Sequence, residues 1–132
     1  EQLGLRDRVR FLGFRTDVIP LMKLCDAIAH TSTAAEPFGR VIVEAMLCGK
    51  PAIAASSGAA LEIIDAGVTG WLTPPGDATK LASAIEFCHH HPTEAAEVAK
   101  QAQTEAIQHY RLDAVQEQLA KLLTASVEQH RR

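Results

Sequence analysis

An α/β domain built on a parallel sheet is the fold class this chain predicts, and three observations predict it. Short apolar segments of strand character alternate with segments of helical periodicity. Glycine or proline punctuates the joints between them. At 132 residues with 47% hydrophobic residues, the chain can bury one core but not comfortably two. In such a sheet, ligands bind outside the carboxyl ends of the strands.

The elements follow in order. Residues 9–12 are β-prone and stop at Gly13, which reads as a first strand. Residues 17–24 carry Val18, Ile19, Leu21, Met22 and Leu24 behind Asp17, a residue able to cap a helix. Pro20 falls in the first turn, where a missing N–H costs little. Residues 26–30 form a second strand, and Thr31, Ser32 and Thr33 a loop. A helix runs over about 39–48 and is closed by Gly49. Residues 51–54 are a third strand with Pro51 at its first position, where proline is tolerated. Ser56, Ser57 and Gly58 turn into a helix over about 60–66, ended by Gly67. Residues 70–73 are a fourth strand, stopped by Pro74, Pro75 and Gly76. Asp77 caps a helix through about residue 89. From Thr93 the pattern is helical, with a break at 110–113. Leu119, Leu122, Leu123 and Val127 then give residues 115–132 the spacing of a helix lying along a surface. The organisation expected is a main domain over 1–110 and a C-terminal helix over 111–132.

Composition removes several function classes. The net charge is −3, from 13 basic and 16 acidic residues without a basic run. Nothing in that distribution recommends nucleic acid or an anionic membrane surface as partner. No apolar run is long enough to span a bilayer. Cys25, Cys48 and Cys88 are odd in number and lack metal-ligand spacing, so they read as reduced thiols of a cytoplasmic protein.

The run from Glu36 to Glu44 carries the chemistry. Two carboxylates bracket seven residues, among them Pro37, Phe38, Gly39 and Arg40. Glu36 lies in the loop before a helix and Glu44 within it. A group docked at that helix start meets free backbone N–H groups and the positive end of the helix dipole, with an acid on either side. Glu44 stands among Val41, Ile42, Val43, Ala45, Met46 and Leu47, where an unpaired carboxylate is costly to bury. It is therefore expected to face a polar crevice. An anion with hydroxyls at both ends, such as a nucleoside diphosphate sugar, suits the site.

Other residues invite more chemistry than they support. His89, His90 and His91 are adjacent on a helix, point about 100° apart, and do not converge on one ion. They finish a helix before Pro92. Trp71 reads as core, and His30, at a strand end, as a packing or solvent-facing residue. Ser56, Ser57 and Gly58 could cradle a phosphate, but read better as a strand-to-helix turn without a phosphate-loop lysine. No nucleophile elbow is present.

Seven blocks in order carry a resemblance. They are Ser32; Glu36, Pro37, Phe38, Gly39; Glu44, Ala45, Met46; Gly49, Lys50, Pro51; Gly58 with Glu62; Gly67, Val68, Thr69, Gly70; and Pro75, Gly76, Asp77. This pattern resembles the C-terminal, donor-binding domain of GT-B-fold retaining glycosyltransferases, in the group 1 or family-four class that includes sucrose synthases and bacterial mannosyltransferases. The likeness covers residues 5–85 and continues more weakly beyond. It implies a Rossmann-like parallel sheet with flanking helices, forming part of the C-terminal half of a GT-B fold. It also implies transfer of a sugar from a nucleotide diphosphate sugar to an acceptor, with no metal and no cofactor.

The resemblance assigns roles by position. Glu36 takes the catalytic acid's place, contacting hydroxyls of the donor sugar. The backbone at Phe38, Gly39, Arg40 and Val41 approaches the sugar and diphosphate. Glu44 binds the ribose hydroxyls, and Phe14 and Arg15 lie near the base. The family's basic pair for the diphosphate has no counterpart in these residues; Arg40 and Lys50 are the nearest substitutes, Lys50 reading better as a surface residue. The acceptor domain is expected elsewhere, so these residues alone are expected not to transfer sugar. The cytoplasmic location expected from the thiols leaves room for a peripheral contact with the inner face of a membrane, made through that missing domain. Two rival readings share the fold: a non-catalytic binding or assembly module, and a GT-B nucleotide-sugar epimerase.

The family's sheet order, 3-2-1-4-5-6, has a consequence here. Residues 9–12 would be strand 3, and the other segments strands 4, 5 and 6. Without strands 1 and 2, the strand at 26–30 has an open edge. The favoured expectation is that residues 9–12 close up beside it; the alternatives are an edge-mediated dimer or a larger parent protein.

Overall fold

The computed structural model describes residues 4, 5 and 7–129. Three strands make one parallel sheet: β1 (Ile28–His30), β2 (Ala52–Ala55) and β3 (Trp71–Thr73), in the order β1-β2-β3. Ile28 pairs with Ala52 and Ile53 with Trp71. The helices are α1 (Val18–Leu24), α2 (Arg40–Leu47), α3 (Ala60–Ile63), α4 (Ala78–His90), α5 (Pro92–Tyr110) and α6 (Leu112–Gln129). The parallel α/β class and the alternation of elements stand as the sequence predicts.

β2 is central, and all four of its residues are buried, as a parallel strand covered on both faces must be. Its side chains alternate between two cores. Ala52 and Ala54 pack with Ile42, Ala45 and Met46 of α2 and with Ala102 and Ala106 of α5. Ile53 points the other way, into a cluster with Cys88 and Ala95 that Trp71, Leu81 and Ala84 partly close. Trp71 is therefore a packing residue, with its ring 6.0 Å from that of Phe87. Burial pushes the Cys88 thiol above the ordinary thiol range. On α5, buried Ala95, Ala99, Ala102 and Ala106 form a stripe of small side chains that lets other elements approach closely.

Caps explain the start of α4 and the end of α2. The Asp77 carboxylate accepts from the Lys80 amide at 2.9 Å and starts α4. Gly49 and Lys50 donate back to Met46 and Ala45 and close α2. The α4 end holds the three histidines. His91 stacks on Phe87 with centroids 4.5 Å apart, while His89 and His90 lie edge to face. Among the described residues, no group of three or more His, Cys, Asp or Glu side chains could hold a metal ion.

Four expectations need correction. Residues 9–12 form no strand. The chain turns locally there, with Arg8 and Val9 both donating to Leu5, and Phe11 is 97% exposed. A segment of four residues without a ladder partner or a core to enter has nothing to hold it extended. It follows that residues 9–12 do not cover β1, whose outer edge has no strand beside it among the described residues. The helix after Gly58 stops at Ile63 instead of Ala66, because the Thr69 hydroxyl captures the Asp65 amide at 2.9 Å and ties 65–69 into a turn. Asp17 does not cap α1; its carboxylate is engaged by Arg15.

α6 buries none of its residues. Leu112, Val115, Leu119, Leu122 and Val127 stand exposed along it. Residues 130–132, within the expected C-terminal helix, lie outside the described residues. No helix among the described residues is long and apolar enough to cross a membrane.

Candidate functional site

A parallel sheet puts the loops that follow its strands at one end. Here these are residues 31–39 after β1, 56–59 after β2 and 74–77 after β3. Glu36 lies in the first loop, and α2 starts where that loop ends. Gly39 is the N-cap residue of α2, in the left-handed region at φ 63° and ψ 29°. An L side chain is strained in that conformation. A β-carbon there would also stand 2.3 Å from Ile63 Cδ1.

The α2 start has the free donors expected of it. The first amides to bond within the chain are those of Ile42 and Val43, both to the Gly39 carbonyl at 3.0 and 3.1 Å. Among the described residues, the amides of Gly39, Arg40 and Val41 donate to no backbone carbonyl. They form the electropositive end of an eight-residue helix. Arg40 adds a cation: its side chain is 83% exposed and its guanidinium lies 3.6 Å from Glu44, one turn on. Glu44 is not sealed in the core despite its apolar neighbours in sequence; its side chain is 31% exposed. Ile42, Ala45 and Met46 take the buried face of α2 and leave Glu44 on another. Thus one helix start carries three unengaged amides, an exposed cation and two carboxylates, Glu36 just before it in the chain and Glu44 just inside it.

The remaining candidates divide. Phe38 is 77% exposed beside this helix start, with no core contact to hold it. Phe14 is 93% exposed. Arg15 is committed to Asp17, its Nε 2.7 Å from the carboxylate. That pairing holds the guanidinium above and the carboxyl below their ordinary ranges. Lys50 sits at the opposite end of the sheet, ahead of β2, where it lines a cavity of about 690 Å³ with Cys25, Asp26 and Cys88. It is no substitute for a diphosphate-binding base. Ser32 Oγ bonds the Ala34 carbonyl at 3.0 Å and shapes the loop that leads to Glu36.

One contribution was missed in the sequence. The turn after β2 touches the acidic loop directly: the Ala59 amide donates to the Glu36 carbonyl at 2.8 Å. Ser56 and Ser57 spend their amides on Thr73 and Ala55, so this turn does not present them to a phosphate. The only hint in the sequence was Gly58 itself, the residue type that a left-handed turn position favours.

A cavity of about 150 Å³ opens at the same end of the sheet, between Thr31, Thr73, Asp77 and Leu81. It lies on the α4 side. α2 packs on the other face of the sheet, against α5.

Known proteins are similar to this chain in sequence and in fold. N-acetyl-alpha-D-glucosaminyl L-malate synthase of Bacillus anthracis is 40% identical over 82 residues, which is 62% of this chain and 21% of that protein. The Anabaena protein HepE, solved in complex with UDP, superposes with a TM-score of 0.90 at 50% identity, over 94% of this chain and 34% of HepE. HepE has also been solved with UDP-glucose. The C-terminal domain of a glycosyl transferase group 1 family protein, LpcC of Francisella tularensis, shares the fold with a TM-score of 0.77 at 24% identity, over 84% of this chain and 58% of that domain. The chain thus spans about a fifth to a third of the full-length relatives it matches. The sequence profile of glycosyl transferases group 1 matches residues 1–105. With that match over most of its length, on a GT-B-type α/β sheet, the chain belongs to the group 1 glycosyltransferases, in their C-terminal domain.

Proposed function

We propose that this chain is the donor-binding part of an enzyme that moves a sugar from a nucleotide diphosphate sugar to an acceptor. The observation that carries the reading is the start of α2, where the amides of Gly39, Arg40 and Val41 are unengaged between two carboxylates. In this reading those amides and Arg40 receive the diphosphate, whose negative charge the helix dipole favours. Phe38 and Gly39 bring backbone close to the sugar. Glu36 accepts hydrogen bonds from sugar hydroxyls in the catalytic acid's place, and Glu44 accepts them from ribose hydroxyls. Phe14 and Arg15 supply the face that meets the base; Arg15 must then leave Asp17, an exposed pair that is cheap to break. Charge builds on the leaving diphosphate in the transition state, and preoriented amides stabilise it without a metal.

The domain division belongs to the same reading: residues 1–110 bind the donor, and 111–132 form an accessory helix. The acceptor half of the cleft comes from another domain, so these residues bind donor without transferring sugar. Three free thiols accord with a cytoplasmic location. Any contact with the inner face of a membrane runs through the acceptor domain.

Calorimetric titration of the chain with UDP and with UDP-glucose tests the reading. Saturable binding of either supports it. Binding of neither supports the second reading, an assembly module, which the bare β1 edge and the exposed apolar line on α6 favour.

A further inference from the structure

The loop that carries Glu36 does not hold its shape alone. Gly58, in the turn between β2 and α3, lies against the Glu36 backbone. A β-carbon at position 58 would stand 2.4 Å from the Glu36 carbonyl oxygen and 2.8 Å from its amide nitrogen. Both are backbone atoms, so no side-chain rotation relieves the contact. Gly58 is also left-handed, at φ 55°. The next residue adds a directed bond, from the Ala59 amide to the Glu36 carbonyl at 2.8 Å. The contrast with Gly39 is instructive. There the obstruction is the tip of the Ile63 side chain, which can turn away. At Gly58 only a shift of the Glu36 backbone makes room.

We propose that Gly58 and the Ala59 amide are positioning residues for Glu36: they seat its backbone so that the carboxylate meets the hydroxyls of the donor sugar. This rests on the donor-binding reading above. Neither group touches the donor; each acts through Glu36. A charged hydrogen bond depends steeply on placement, so a small displacement of Glu36 loses sugar contacts while leaving the α2 amides and Glu44 in place. The mark of the role is selectivity between ligands. Affinity for the sugar nucleotide falls, and affinity for the bare nucleotide holds.

The test titrates UDP-glucose and UDP against four forms of the chain: wild type, Gly58→Ala, Glu36→Gln and the double variant. Gly67→Ala serves as control, because Gly67 is left-handed at φ 79° with nothing within 4 Å of a β-carbon. The expected result is a loss of about tenfold in UDP-glucose affinity for Gly58→Ala, with UDP affinity unchanged. In the Glu36→Gln background, Gly58→Ala should add no further loss. Gly67→Ala should leave the ratio of the two affinities alone. If Gly58→Ala does not fold, Ala59→Pro replaces it. Residue 59 already has φ −59°, and proline removes the amide that holds Glu36. Equal losses for both ligands, no loss for either, or additivity with Glu36→Gln would overturn the inference while the donor reading stands. Wild type that binds neither ligand would overturn the donor reading, and this inference with it.

Discussion

At the scale of single residues, Arg40 and Glu44 define what the helix start can do. Their ion pair is long, at 3.6 Å, and the arginine is mostly exposed. Such i,i+4 pairs are worth only a few tenths of a kcal/mol, roughly 0.3–0.5. Neither side chain is therefore committed to the other, and both are free for a ligand. Glu44→Ala should leave folding nearly untouched but weaken UDP binding by about 1–3 kcal/mol, through lost charged hydrogen bonds to ribose. Calorimetry with UDP measures it. Unchanged affinity, with the fold intact by circular dichroism, would remove Glu44 from the site.

At the scale of elements, α2 is held in place by α5. Ala102 and Ala106 are fully buried in the cluster with Ile42, Ala45 and Met46. Their lack of bulk sets how close the two helices lie. Ala102→Leu forces extra methylenes into a filled interface and should destabilise the fold by about 1–3 kcal/mol in urea titration. Because α2 carries the candidate site on its exposed side, the same substitution should weaken UDP binding even though residue 102 touches no ligand. A stability equal to wild type would show that α2 and α5 are less closely fitted than their burial indicates.

At the scale of the whole molecule, β1 and β3 are the two edge strands of the sheet among the described residues. β1 pairs only with β2 among the described residues, and residues 9–12 do not fill the other side. Unpaired N–H and C=O groups along an apolar strand attract a second strand. The chain on its own is therefore expected to associate through this edge as its concentration rises. Ala29 is exposed on β1. Ala29→Lys sets a charge on that strand and should shift the sedimentation profile toward monomer without lowering helix content. Sedimentation of wild type as a monomer at every concentration tested would show that the edge is not sticky.

What the sequence determined by itself is the local grammar. The segments of β2 and β3, the α2 start at Gly39 and its stop at Gly49, the Asp77 cap of α4 and the break before α6 were all legible. Each depends on nearest neighbours along the chain: a capping carboxylate, a left-handed glycine, a proline at a first turn. The alternation of strand and helix, and hence the parallel sheet, was legible for the same reason. The acids of the candidate site stand out as a spacing, because a helix start and two carboxylates lie within nine residues, 36 to 44. Tertiary structure alone decided the rest. Residues 9–12 have a strand's composition but no ladder to join, and a strand exists only through its partner. Asp17 had a cap's position and a nearer cation in Arg15. Thr69, four residues beyond Asp65, took the amide that would have continued α3. The bracing of Glu36 by Gly58 and Ala59 joins residues more than twenty apart along the chain. No periodicity records such a contact, because it arises only when the sheet brings two loops to the same end.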